Sequence, residues 1–186
     1  MRIIAGQWRG RRLSTPSGPE LRPTTDRVKS ALFSLLGERI DGAVVADLCC
    51  GVGNLGLEAL SRGARQVFFV DNRRAALQYV RRNLELCGAT RSTYRVQRAD
   101  AEQWLRSRLA PGAAGVHIVL ADPPYDSDLA TRLCQVLGEA VARSLWELAV
   151  LEHGDETQLE LPAGLPLFCQ RRKYGKTVLF ILEAKR

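Results

Sequence analysis

The stretch Val44-Val45-Ala46-Asp47-Leu48-Cys49-Cys50-Gly51-Val52-Gly53-Asn54-Leu55-Gly56 decides the fold. Its first half is a short apolar run and reads as a buried strand ending around Asp47. Its second half is formally G-x-G-x-x-G and opens a helix running to about residue 62. Outward from this unit the βα pattern repeats. Residues 66–70 read as a second strand closed by Asp71, and 73–87 as a helix with Ala76, Leu77, Val80 and Leu84 inward. Residues 94–97 make a third strand before Asp100, and 102–108 a short helix. A fourth strand, 116–121, stops at Asp122-Pro123-Pro124-Tyr125. A helix over 128–142 and a fifth strand over 145–152 follow. Residues 167–173 and 177–184 form an antiparallel hairpin around Tyr174-Gly175-Lys176. Alternating strands and helices predict a mostly parallel sheet with helices on both faces, a Rossmann-like α/β fold.

Asp47, Asp71, Asp100 and Asp122 each fall at or just after the carboxyl end of a strand. Their spacing is about one βα unit, so one sheet edge gathers four carboxylates beside a glycine loop, which describes a cofactor cleft. The loop alone would admit a dinucleotide. An acid just before the glycines, however, repels a pyrophosphate and welcomes a cationic amino group. S-adenosylmethionine (SAM) carries such a group, with a sulfonium, a ribose and an adenine. Asp47 would then lie toward the amino end, Asp71 on the ribose hydroxyls and Asp100 on the adenine amino group. Gly51, Gly53 and Gly56 would allow close backbone approach. Asn72 and Ala101, next to two of these acids, complete the expected cofactor set with Asp122.

The turn after the fourth strand is stiff, because Pro123 and Pro124 lack amide hydrogens and fix their own φ. It offers a carboxylate, main-chain carbonyls and an aromatic face. A flat, nitrogen-rich ring bearing an amino group suits it: the ring stacks on Tyr125 and its N–H donors meet Asp122 and the Pro123 carbonyl.

The chain has 186 residues, enough for one domain with a small appendage. No apolar run approaches the ~20 residues of a membrane span, and residues 1–6 lack a signal-peptide core. Five cysteines, with no C-x-x-C pair and only His117 and His153 to join them, make a metal site unexpected and fit a reducing cytoplasm. The net charge of +7 is uneven. Residues 1–40 carry eight Lys/Arg against three Asp/Glu, 171–186 six against one, and 41–170 thirteen against sixteen. Basic ends around a mildly acidic middle read as a footprint for nucleic acid.

Residues 2–13 read as two short strands around Gly6, with Trp8 packing the hairpin. A loop over 14–23 leads to Thr24 or Thr25 as helix cap. The helix then carries Val28, Ala31, Leu32, Leu35 and Leu36 on one face, with Arg27 and Lys29 off the stripe. Residues 1–40 are expected to form a basic RNA-binding appendage on a domain spanning 41–186.

Asp47-Leu48-Cys49-Cys50-Gly51-Val52-Gly53 with Asp122-Pro123-Pro124-Tyr125 resembles the class I SAM-dependent methyltransferases of amino nitrogens. RIIAGQWRGRRL, LRPTTDRVKSALFSLL, GLEALSRGA and the terminal hairpin narrow the resemblance, nearly end to end, to the bacterial RsmD family of 16S rRNA guanine-N2 methyltransferases. This chain departs from that pattern at Cys49, Cys50 and Val52, positions that mainly shape the loop. The resemblance implies methyl transfer from SAM to a guanine N2 of the small ribosomal subunit; a cytoplasmic location and a monomer are expected beside it. Asp122, Pro123 and Tyr125 would be catalytic. Arg9, Arg11, Arg12, Arg22, Arg27, Arg171, Arg172, Lys173 and Lys176 would grip RNA. Three other readings share some of these residues: an amino methyltransferase on adenine N6, cytosine N4 or a protein glutamine; an NAD-linked oxidoreductase; and a non-catalytic RNA chaperone.

Overall fold

Strand alternation sorts the core into two layers. The computed structural model describes residues 1–16, 26–109, 115–125, 128–143, 145–161 and 164–185. Thr24, Thr25 and Arg22, expected as cap and RNA contact, lie outside them. Strands β1 (Val44–Leu48), β2 (Gln66–Asp71), β3 (Tyr94–Arg98), β4 (Ile118–Ala121) and β5 (Leu148–Gly154) are parallel. β6 (Leu167–Tyr174) and β7 (Thr177–Ala184) complete the sheet antiparallel, in the order β3-β2-β1-β4-β5-β7-β6. The order reverses between β1 and β4, which is where open α/β sheets bind ligands.

Val45, Val67, Phe69, Ile118 and Leu120 face one layer, covered by helices α1 (Asp26–Leu36), α2 (Asn54–Ser61) and α3 (Arg74–Cys87). Ala46, Phe68, Val70, Val119 and Ala121 face the other, under α4 (Ala101–Arg108) and α5 (Leu129–Ala142). β1, β2 and β4 are near-continuous apolar runs because both faces are covered. Burying one such Val, Leu or Phe side chain contributes about 1.5–3 kcal/mol.

Three expectations change. The two N-terminal strands reduce to one antiparallel bridge, Arg2 to Arg12, held by Ile3 N–H to the Arg11 carbonyl at 2.9 Å and Leu13 N–H to the Met1 carbonyl at 3.1 Å. β4 begins at Ile118 rather than Val116, and β5 at Leu148 rather than Leu145. Lys29, read as lying off the buried stripe of α1, is wholly buried.

The first 40 residues share a core with the rest. Ile3, Leu13, Val28, Leu32, Phe33 and Ile40 pack with Leu57, Phe69 and Ile118, and Trp8 packs against the same layer as expected. A Cβ at Gly6 would sit 1.8 Å from the Ser61 carbonyl oxygen, so glycine alone allows the hairpin to lie on α2. No described helix is long and apolar enough to cross a membrane.

Candidate active site

Two backbone hydrogen bonds join the motifs. Asp122 N–H donates to the Leu48 carbonyl at 3.3 Å, setting the proline turn against the end of β1. Cys50 N–H donates to the Val70 carbonyl at 3.1 Å, setting the glycine loop against β2. Cys49 turns the chain with φ 55°, the positive value among described non-glycine residues. Gly51 and Gly53 follow at φ 55° and 85°, and Gly53 caps α2 in the left-handed region that side chains disfavour.

The four acids reach one edge but do different work. Asp47 lies inside β1, 1 % exposed, and its Oδ2 accepts the Gly56 N–H at 2.8 Å. It closes the first turn of α2, a cap contributed from the strand beneath. Burial pushes its carboxyl well above the usual aspartate range. Asp47, expected toward the amino end of the cofactor, is thus also the acceptor that holds the loop's return into α2. Asp71 is also buried: Oδ2 accepts Gly51 N–H at 3.0 Å, and Oδ1 accepts Arg73 N–H at 2.9 Å. The Arg73 guanidinium adds an ion pair at 3.2 Å. Asp100 Oδ1 accepts Gln103 N–H at 2.9 Å and caps α4, with Ala101 buried behind it. Asp122 stands half-buried just beyond β4 and Asn72 is exposed.

The glycines also separate. A Cβ on Gly56 would meet the Phe69 ring at 2.4 Å and Asp47 Oδ2 at 2.9 Å, and one on Gly53 would meet Phe69 at 3.2 Å. Packing against Phe69 and the Asp47 cap therefore also require both residues to be small. A Cβ on Gly51 would meet nothing within 4 Å, so that residue turns an open backbone toward the cleft.

Burial, then Asp71, Asp122 and Asp47, push the Cys49 thiol up to about 12. Carboxyl groups around the loop favour a cationic ligand over a pyrophosphate. Asn54, first residue of α2, has a buried Nδ2 with no partner among the described residues, while its Oδ1 accepts from Lys29 Nζ at 2.8 Å. The open Gly51 backbone and the acidic rim match SAM's cationic amino group and hydroxyls in kind.

In the proline turn Pro123 is buried and Pro124 exposed. The Tyr125 hydroxyl donates to Glu152 Oε1 at 2.9 Å and lies 3.3 Å from Thr177 Oγ1. Its ring lies over Gly154, where a Cβ would come within 3.6 Å. Burial, then Glu152, raises the hydroxyl's pKa, so it stays protonated and donates. Glu152 and Thr177 were not among the residues expected at the site. An acid ending an apolar strand was the available signal for Glu152, and Thr177 had none.

The expected RNA contacts divide between the two ends of the molecule. Arg9, Arg11, Arg12 and Arg27 are exposed on the α1–α3 side, with the Arg11 guanidinium donating to the Leu86 carbonyl. Arg171, Arg172 and Lys176 are exposed on β6 and its turn, and Lys173 pairs with Asp155 at 2.9 Å. No described cluster of His, Cys, Asp and Glu could hold a metal ion.

The family model described as Conserved hypothetical protein 95 matches residues 1–183. The chain belongs to this family, the RsmD family. It is 35% identical to YlbH of Bacillus subtilis over 185 residues, covering all of both chains. It is 42% identical to Ribosomal RNA small subunit methyltransferase D of Escherichia coli over 125 residues, 67% of this chain and 60% of that protein. The solved structure of yhhF from Escherichia coli superposes with TM-score 0.80 at 32% identity, covering 100% of this chain and 98% of that one. The family match over residues 1–183 spans nearly the whole chain, the extent of the resemblance.

Proposed function

We propose that this chain transfers a methyl group from SAM to the exocyclic N2 of a guanine in 16S rRNA of the small ribosomal subunit. The observation that carries this reading is the Asp122 turn, hydrogen-bonded to β1 beside the acid-rimmed glycine loop, in a chain of the RsmD family. SAM, when bound, supplies a methyl group made electrophilic by a positive sulfur. Asp71 and the Gly51 backbone hold it, with Asp100, Ala101 and Asn72 bordering the base end. Asp47 acts beneath the loop by fixing Gly56.

A guanine amino group is a weak nucleophile because its lone pair is delocalised into the ring. Asp122 and the Pro123 carbonyl accept its two N–H bonds and orient the nitrogen, the alignment that accounts for much of the rate. Asp122, or water behind it, takes the proton as charge develops. Tyr125 stacks on the base, its ring held by Glu152 and Thr177. A base in a stacked RNA must first turn out, at a cost of a few kcal/mol offset by stacking and phosphate contacts. The basic residues of both chain ends hold the RNA.

The test is nucleoside mass spectrometry after incubation with labelled SAM and unmethylated 16S rRNA, the small subunit lacking this mark, or DNA. Label in N2-methylguanosine is expected, and Asp122→Ala should keep SAM binding while losing most turnover. Label in N6-methyladenosine or N4-methylcytidine would overturn the guanine assignment. No label with any nucleic acid would overturn the reading.

A further inference from the structure

The acidic average over residues 41–170 hides a strongly basic face. Between Asn72 and Arg98 the sequence has seven arginines against one acid, Glu85. All seven are exposed. Arg73 is tied to Asp71, but Arg81, Arg82, Arg91, Arg95 and Arg98 have no carboxylate within ion-pair distance among the described residues. On α3, Arg74 and Arg81 are seven residues apart, about 10 Å along one face of the helix. This places a line of guanidinium groups from the cofactor edge downward.

The line ends in a groove of about 290 Å³ between α3 and the edge strand β3, lined by Arg81, Arg91, Tyr94, Arg95 and Val96. One Arg95 amino group folds back onto the Tyr94 carbonyl at 2.8 Å and the Arg91 carbonyl at 3.3 Å. The side chain is exposed, and a guanidinium has five N–H donors, so others remain for a ligand. Tyr94 is half-buried and gives the groove a flat wall.

We propose that this groove is an RNA-binding surface in its own right, taking phosphates on Arg81, Arg91 and Arg95 with a base against Tyr94. Unpaired guanidinium groups around an aromatic wall fit a nucleic-acid backbone with an unstacked base. The surface lies at the amino end of β3, away from the strand ends that form the cleft, and at the opposite sheet edge from β6. Six strand spacings separate those two edges, about 29 Å. The groove therefore acts with the nearby arginines of the N-terminal hairpin, as a track distinct from the terminal hairpin's. This inference rests on the proposed action on rRNA.

The test is equilibrium binding of a labelled 16S rRNA fragment across a salt series, with the double variant Arg91→Glu, Arg95→Glu. Affinity should weaken about tenfold near physiological salt, and the slope of log affinity against log salt should become shallower by about two. SAM affinity by calorimetry should not change. Arg91→Lys with Arg95→Lys should retain most of the affinity, since the positive charges remain. Wild-type affinity and slope in the Glu variant would overturn the groove assignment and leave the proposed function standing. Weaker binding with an unaltered slope would overturn it too. A wild-type protein whose RNA affinity ignores salt would overturn both the groove and the proposed grip on rRNA.

Discussion

Lys29 Nζ lies 3.4 Å from Glu58 Oε2, and neither side chain has any exposed surface. The ammonium also donates to the Arg2 carbonyl at 2.5 Å and to Asn54 Oδ1. Glu58 accepts the Ile4 and Ala5 amides at 2.8 and 3.0 Å and the Arg62 guanidinium at 2.8 Å. One buried node thus connects the N-terminal hairpin, α1 and the residue that follows the glycine loop. Burial lowers the Lys29 pKa more than Glu58 raises it, so the ion pair owes its place to satisfied hydrogen bonds rather than to charge attraction alone.

Lys29→Met should destabilise the protein by about 3 kcal/mol, because it leaves Glu58 with less compensation and strips the Arg2 carbonyl of its donor. Urea unfolding measures this, and limited proteolysis should show earlier cleavage in residues 1–16. A loss below about 1 kcal/mol would mean that the pair is energetically neutral.

Asp47 separates a cap from a charge. Asp47→Ala removes the acceptor for Gly56 N–H and should cost about 1–2 kcal/mol. Asp47→Asn keeps an acceptor and removes the charge. The folded pKa of Asp47 is raised above the ordinary 3.8, so above that pH the folded state holds a proton that the unfolded chain has released. The stability that this group contributes therefore falls as pH rises from 3.8 toward its folded value. The Asn variant should gain on wild type between pH 4 and pH 7 in urea titrations. A difference independent of pH would show that Asp47 is not raised.

The Tyr125 ring and hydroxyl have separate roles. Tyr125→Phe keeps the stacking face and loses the tether to Glu152 and Thr177. It should lower kcat/KM for RNA by about tenfold or less, the value of one positioning hydrogen bond. Tyr125→Ala removes the ring and should lower it by roughly ten- to a hundredfold. Equal losses in the two variants, by steady-state methyl transfer, would give the hydroxyl a direct chemical part.

Cys49 should be slow to react although it borders the cleft. With its pKa near 12, only about one thiol in ten thousand is ionised at pH 8. The exposed Cys169 should therefore be alkylated first by iodoacetamide, as read by peptide mass spectrometry. Labelling of Cys49 ahead of Cys169 would contradict the raised thiol pKa that burial and the neighbouring carboxylates give Cys49.

The sequence by itself determined the layered α/β plan, the antiparallel terminal hairpin, the glycine loop and the acids near the strand ends. These are local properties. Apolar period, a glycine at a turn and a proline after an acid act within a few residues, so they are visible along the chain. What those side chains do was decided by residues far away in sequence. Asp47 is drawn inward because Gly56 returns beneath it, and Asp71 holds Gly51 from the neighbouring strand. Lys29 lies off the apolar stripe of its helix yet is buried, because Glu58, 29 positions on, supplies its counter-charge. Tyr125 is held by Glu152 and Thr177, 27 and 52 residues away. The arginines of α3 and β3 form one surface only because β3 folds back as the sheet edge beside the helix. Charges and hydrogen bonds act through space at a few ångströms, whatever the separation along the chain, so only the tertiary structure could pair them.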